Sequence, residues 1–333
     1  MKKVRLFDTF AGYGGAHFGL KKAGVPHVGV GFSEIDEFAD KIYRLNHPGV
    51  ENFGDITKIN EKDLPDFDLF TGGFPCQPFS MAGKNLGELD TRGTLFYDII
   101  RICEFKQPTN ILLENVKSIT FRQHKETFQK IISELNRIGY NVEFEVLNSK
   151  NYGIPQNRER VWIFATKNPI PFGWKLAPAT QDLRGYFKDF LDKSVADHHY
   201  LSDKQVKHLI KKHKVDFNVS EASCLDIYNK KVRSDGISIT LTEPHHNTLR
   251  VVEVPRDGEF IVRKLTESEH FRLMGFDDGE INFGDLSYSQ LCKRAGNGWD
   301  VNLAALLFRK IYELDEMVKA DKNKKINIIP ERA

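Results

Sequence analysis

From Val4 to Thr166 the chain alternates short apolar runs with longer helix-like stretches, and that rhythm limits the possible folds more than any other feature. Val4-Arg5-Leu6-Phe7, Val28-Gly29-Val30, Asp68-Leu69-Phe70, Ile111-Leu112-Leu113, Val142 to Leu147 and Val161-Trp162-Ile163-Phe164 read as strands. Residues 16–23, 36–45, 94–106 and 123–138 carry helical spacing. Strand and helix in repeated succession predict an α/β fold, a parallel sheet covered by helices on both faces. Past Lys167 the rhythm stops at Asn168-Pro169-Ile170-Pro171-Phe172-Gly173, read here as a linker into an irregular region rich in Asp, His and Lys. Helical periodicity returns from Val301 to Met317, with a Leu303, Leu306, Leu307, Ile311 and Leu314 stripe suited to packing back on the first domain. A small inserted domain is therefore expected, with boundaries of 1–171 plus 294–325 for the larger domain and 172–293 for the insert. The Lys-rich stretch from Lys319 to Lys325 reads as a solvated end.

Composition narrows the class without naming it. With 333 residues, 40% hydrophobic and 28% charged, the chain can bury a sizeable core, which argues against disorder. The net charge of +2 neither demands nor excludes a polyanionic partner, so the distribution of charge has to decide. Cys76, Cys103, Cys224 and Cys292 are too widely spaced for a metal-ligand pattern, and neither a signal-like N-terminus nor a membrane-length apolar run is seen. A cytoplasmic protein with free thiols and no metal is expected.

The first strand runs into Asp8-Thr9-Phe10-Ala11-Gly12-Tyr13-Gly14-Gly15, and a glycine-rich first strand-to-helix turn is where open α/β sheets take nucleotide-like ligands. Some twenty residues on, the next strand ends at Ser33-Glu34, an acid placed to accept from ribose hydroxyls. The dinucleotide fingerprint needs a third glycine where His17 stands, and no Lys-Ser or Lys-Thr pair forms a P-loop. An adenosine without a pyrophosphate fits better, and Asp55-Ile56 would supply a carboxylate and an apolar neighbour for its base.

A second constellation follows. Cys76 sits in Gly72-Gly73-Phe74-Pro75-Cys76-Gln77-Pro78, where two prolines stiffen the loop after a strand and present the thiol outward. Glu114 closes the strand Ile111-Leu112-Leu113 and should emerge at the same sheet edge. Gln156-Asn157-Arg158-Glu159-Arg160 offers two guanidinium forks, and the polar, glycine-containing run from Met81 to Thr94 reads as a lid.

These segments, with Arg92-Gly93-Thr94-Leu95-Phe96, Arg263 to Thr266, Met274-Gly275-Phe276 and Gly296-Asn297-Gly298, stand in the order found in the cytosine-5 DNA methyltransferases, and the chain resembles that family over most of its length. The resemblance implies a Rossmann-like S-adenosylmethionine-dependent methyltransferase fold with an inserted target-recognition domain. It implies methyl transfer from S-adenosylmethionine, leaving S-adenosylhomocysteine, to carbon 5 of a cytosine flipped out of a specific double-stranded DNA sequence. Cys76 would add to carbon 6, Glu114 would hydrogen-bond or protonate the ring nitrogen, Arg160 would hold the base carbonyl, and Arg158 would support the cleft. It assigns Phe10, Ala11, Gly12, Gly14 and Gly15, with Glu34, Ile35, Asp55, Ile56, Pro75, Leu95, Asn297 and Trp299, to the cofactor. Two of these depart from the commonest pattern: Ile35 stands where many members have tryptophan, and Gly298-Trp299 where many have serine and valine.

Gln77, Ser80, Lys84, Arg92 and Arg233 are the expected DNA contacts, and base-reading side chains are expected on loops around Asp235-Gly236 and Pro244 to Thr248. The lysines and histidines from Lys204 to Lys214 would neutralise phosphates or form a solvated helix. A monomer is expected, and the sequence leaves open whether a cognate restriction endonuclease acts separately. Three other readings stand beside this one. A tRNA cytosine-5 methyltransferase on the same scaffold is distinguished by its acceptor, a non-catalytic binding module by absence of covalent trapping, and a dinucleotide oxidoreductase by NAD binding.

Overall fold

The computed structural model describes residues 3–75, 95–213, 219–256 and 259–326. Cys76, Gln77, Ser80, Lys84 and Arg92 lie outside the described residues, as does the whole of the expected lid. The chain divides into two compact units: 1–147, 160–179 and 304–333 form the first, and 148–159 with 180–303 the second.

In the first unit, strands β1 (Val4–Thr9), β2 (His27–Ser33), β3 (Leu69–Gly73), β4 (Asn110–Val116) and β5 (Asn141–Asn148) alternate with helices α1 (Gly15–Ala23), α2 (Glu37–Asn46), α3 (Leu95–Lys106) and α4 (Lys125–Arg137). The strand β7 (Glu159–Thr166) completes the unit, while the short β6 (Gln156–Asn157) before it belongs to the second. The sheet order is β2-β1-β3-β4-β7-β5. The pairs β1–β2, β1–β3 and β3–β4 are parallel, as the sequence rhythm requires. β7 is not: it lies antiparallel to β4, from Asn110↔Thr166 to Val116↔Arg160. Only the segment 149–158 separates β5 from β7, too short for the crossover a parallel return needs.

Both faces of the central strands β1, β3, β4 and β7 are dry. Phe7, Phe70, Ile111, Leu113, Val161 and Ile163 join one cluster with Phe96, Ile99 and Cys103 of α3 and Phe128, Ile131 and Leu135 of α4. The alternate residues Leu6, Leu69, Leu112, Trp162 and Phe164 are equally buried. Burying both faces is what makes these strands read as continuous apolar runs. The stretch read as a linker does not end the unit, because Trp174 and Leu176 beyond it are buried, with the Trp174 ring 5.7 Å from Phe164.

In the second unit, β8 (Ser223–Asp226), β9 (Lys231–Arg233), β10 (Ser238–Ile239), β11 (Leu249–Arg256) and β12 (Glu259–Arg263) accompany α5 (Asp203–His213), α6 (Glu267–Arg272), α7 (Tyr288–Asn297) and the start of α8 (Val301–Ile326). β12-β11-β8-β9 form an antiparallel sheet, and β10 pairs in parallel with β6. Leu209 and Val206 of α5 pack on Leu225, Val252 and Val262 of that sheet. Arg263 is fully buried in a bidentate pair with Glu269 (2.7 and 2.8 Å), and Glu269 also completes a capping box with Thr266 at the start of α6. Gly296-Asn297-Gly298 and Trp299 fall within this unit, whereas the sequence reading grouped them with the larger domain from residue 294 onward.

Candidate active site

In the first unit, the turn after β1 is wound in left-handed backbone at Phe10 (φ +51°), Gly12 (φ +56°) and Gly14 (φ +82°). Phenylalanine rarely adopts such a conformation, and strain of this kind persists where a site needs it. Gly12 N–H donates to Glu34 Oε2 (3.0 Å), while Glu34 Oε1 accepts from the amides of Ile35 and Asp36 (both 2.9 Å). Glu34 is thus fixed against the turn with acceptor capacity to spare. Its backbone is clamped by Asn52, whose Oδ1 accepts from Glu34 N–H (3.1 Å) and whose Nδ2 donates to Glu34 O (3.0 Å). Ser33 Oγ donates to Gly54 O (2.6 Å), which brings the 52–55 segment alongside the end of β2. Asp55 accepts from Thr57 N–H and Oγ–H, and these bonds hold its carboxyl below the usual range and so ionised. Ile35 stands 78% exposed beside Glu34, an apolar side chain open at the end of β2.

Behind the turn, His17 takes the place of the fingerprint's third glycine. Its ring stacks on His47 (centroids 4.3 Å), its Nδ1 lies 3.2 Å from His27 Nε2, and burial pushes it down to about 2, so it is neutral. The small residue that permits close helix–strand packing is on the strand instead: a Cβ at Gly29 would meet His17 Cε1 at 2.7 Å. Asp8, two residues before Phe10, is buried, accepts from Thr71 Oγ–H (2.6 Å), and is pushed up to about 8 by burial.

At the carboxyl edge of the sheet, Gly73 is in register with Glu114. Asn115 Nδ2 donates to the carbonyl of Phe74 (3.0 Å), which fixes the backbone leading to exposed Pro75 and on to Cys76. Glu114, 8% exposed, has its Oε1 2.8 Å from Arg160 Nε on the adjoining β7. Three candidate elements thereby converge: the approach to Cys76, a buried carboxylate and a guanidinium. Leu95, half-buried, is the first residue of α3.

A family model of the C-5 cytosine-specific DNA methylases matches residues 4–313. The chain belongs to this family. It is 34% identical to the type II methyltransferase M.HaeII of Haemophilus aegyptius, across 96% of this chain and 100% of that protein. It is 36% identical to the type II methyltransferase M.NgoBI of Neisseria gonorrhoeae, across 98% and 97%. Among solved structures, DNMT2 of Spodoptera frugiperda shares the fold with a TM-score of 0.73 at 20% identity, covering 93% of this chain and 100% of that one. This methylase acts on carbon 5 of cytosine in DNA, and the match favours that reading over the tRNA, binding-module and oxidoreductase alternatives.

The second unit holds the remaining site candidates of the methylase. Arg158, grouped above with the catalytic residues, is 3% exposed and donates to three backbone carbonyls: Leu241 (3.3 Å) and Gly296 (3.2 Å) from Nη1, and Gly298 (2.7 Å) from Nη2. That arrangement supports a positioning role. Gln156 works beside it, donating to Leu273 O (2.6 Å) and accepting from Leu241 N–H (2.9 Å). Gly296 is where α7 meets the segment that follows β10, because a Cβ there would lie 2.4 Å from Thr242 C. Asn297 is exposed and Trp299 is buried. Arg233 is engaged by Asp235, which accepts from its Nε–H at 3.0 Å, so it is less available to DNA than the sequence implied. Asn52, Asn115 and Gln156 were absent from the expected roles; only their places beside Glu114 and Arg158 or near Asp55 could have marked them.

Proposed function

We propose that this methylase modifies cytosine within a specific double-stranded DNA sequence through Cys76, Glu114 and Arg160, with the second unit reading the sequence. The pairing of Glu114 with Arg160 beside the clamped Phe74 carbonyl carries the proposal. Carbon 5 of cytosine is a weak nucleophile. The Cys76 thiolate adds to carbon 6, forming an S–C bond and moving the ring π electrons toward carbon 5 and the ring nitrogen. Glu114 hydrogen-bonds or protonates that nitrogen, and Arg160 holds the base carbonyl as fixed positive charge in a water-poor site. After carbon 5 has been methylated it loses its proton, and the S–C bond breaks. The base must leave the duplex stack for this to happen.

The family uses S-adenosylmethionine, and the geometry fits it in part: Glu34 keeps acceptor sites for ribose hydroxyls, Ile35 offers apolar contact to adenine, and Asp55 is an ionised acceptor for its amine, whereas Ile56, expected from the sequence beside the base, is 3% exposed and packed in the core. When bound it supplies an electrophilic methyl group. Phe10 to Gly15 form the cradle, while Pro75, Leu95, Asn297 and Trp299 are proposed for the methionine end. Arg158 positions. Gln77, Ser80, Lys84, Arg92 and, less favourably, Arg233 remain proposed DNA contacts. A monomer, with any cognate endonuclease acting as a separate protein, remains part of the proposal.

The test incubates the protein with methyl-labelled cofactor and either unmethylated genomic DNA or bulk tRNA, followed by nucleoside analysis. 5-Methylcytosine in DNA, lost in Cys76→Ser together with covalent trapping on a 5-fluorocytosine duplex, is expected. Product in tRNA alone overturns the assignment.

A further inference from the structure

In the second unit, α5 carries Lys204, Lys207 and Lys211 at spacings of three and four, which places them within about 60° of arc on one helix face. All three are exposed, as is His208 on the same side. The opposite side, Val206 and Leu209, is packed on the sheet, so the helix cannot rotate the lysines away. The same small core takes in Ile227 and Val232, which flank the β8–β9 turn. That turn is held by Asp226, which accepts from Asn229 N–H (3.1 Å) and Nδ2 (2.6 Å), and it presents Tyr228, 80% exposed, with Lys230 and Lys231.

Among the described residues, none of these five lysines forms an ion pair. The contrast with α4 is direct: Lys130 and Arg137 there are both paired with Glu134. On α5 the one acid, Asp203, sits in the first turn, where the helix dipole already accounts for it. Lys204 and Lys207, and Lys207 and Lys211, are instead like-charged neighbours that repel along the helix. A fixed, self-repelling cationic stripe beside an exposed aromatic fits a polyanion whose phosphates run alongside it. From Lys204 to Lys211 the stripe is about 10 Å long, which spans roughly three phosphates of one strand of a duplex.

We propose that α5 and the β8–β9 turn form a backbone-binding surface for duplex DNA outside the bases being read, anchoring the second unit by phosphate contact. The surface rests on the DNA reading above and adds affinity without sequence preference.

The experiment compares the full-length protein with K204Q/K207Q/K211Q, K230Q/K231Q and K204R/K207R/K211R. Binding to a short duplex lacking the target sequence is measured across a KCl series, and methyl transfer is measured at saturating target DNA. The slope of log affinity against log salt is expected to flatten by about 0.9 for each phosphate no longer neutralised, so by up to about 2.7 in the triple glutamine variant and up to about 1.8 in the double. The arginine variant keeps the slope, and kcat is unchanged in all three. Slopes equal to wild type in both glutamine variants, with unaltered thermal melting, overturn the proposal, as does flattening seen with tRNA but not with DNA. Failure of the wild-type protein to methylate DNA would instead remove the reading on which the surface rests.

Discussion

Arg160 Nε lies 2.8 Å from Glu114 Oε1 across the antiparallel β4–β7 pair, and that contact exists only because β7 enters the sheet reversed. In a parallel β7 the residue preceding its apolar run would sit at the opposite edge. Arg160→Ala is expected to lower kcat by about 10²- to 10³-fold, the usual cost of removing one preorganised charge donor. Glu114→Gln should fall comparably, and the double variant should fall by much less than the product of the two. Steady-state kinetics on target DNA check this, and full additivity would show that the residues act separately.

Arg158 is expected to behave differently from Arg160. Its three carbonyl partners lose their donor in Arg158→Met, at about 3 kcal/mol of stability or more, read as a lower denaturant midpoint. Arg158→Lys should recover only part of this, since a compact ammonium cannot span the same fork.

Gly296→Ala should place a methyl group against the Thr242 backbone, where no side chain can yield. A destabilisation of about 1–3 kcal/mol is expected. Because Thr242 lies two residues before the Pro244–Thr248 loop proposed to read bases, KM for DNA should rise more than kcat falls.

The carboxyl of Asp8 gives a pH signature. Burial raises it from 3.8 to about 8, so the folded protein holds a proton that the unfolded chain releases near pH 4. Its contribution is fully present below about pH 4 and is lost as pH rises through about 8. Asp8→Asn, which cannot ionise, should therefore gain stability relative to wild type across that window, measured by thermal melting at several pH values; a constant difference would show that Asp8 titrates normally.

Ile35 tests the cofactor cradle. Ile35→Trp should tighten S-adenosylmethionine binding by about 0.5–1.5 kcal/mol through ring stacking, and Ile35→Ala should weaken it, both read by calorimetry.

Much of this architecture was legible because the first unit buries both sheet faces, so β1, β3, β4 and β7 announce themselves as apolar runs and α1 to α4 as periodic stretches between them. Direction is not encoded in such a run, and the reversal of β7 followed only from the shortness of segment 149–158. Trp174 and Leu176 were hidden by the prolines before them, which mark a turn but not the end of packing. At the site, Glu34, Glu114 and Arg160 could be read because each charged side chain closes or opens a strand. Asn52, Asn115 and Gln156 could not, since an amide's partners lie far away in sequence; Gln156 donates to Leu273 and accepts from Leu241. The sheet of β8, β9, β11 and β12 mixes polar and apolar residues too evenly for period alone to fix it.

The pairing of β6 with β10 makes the second unit discontinuous in sequence: Pro155 to Arg158 are part of the body that holds Ser238 to Leu241, although some eighty residues separate them. A block excised between 180 and 303 would leave Ser238 N–H without Pro155 O and Leu241 N–H without Gln156 Oε1. If the second unit reads the sequence as proposed, exchange of sequence preference between such enzymes is a two-piece transplant, and Gln156 to Arg158 is the short piece that must travel with, or already match, the long one.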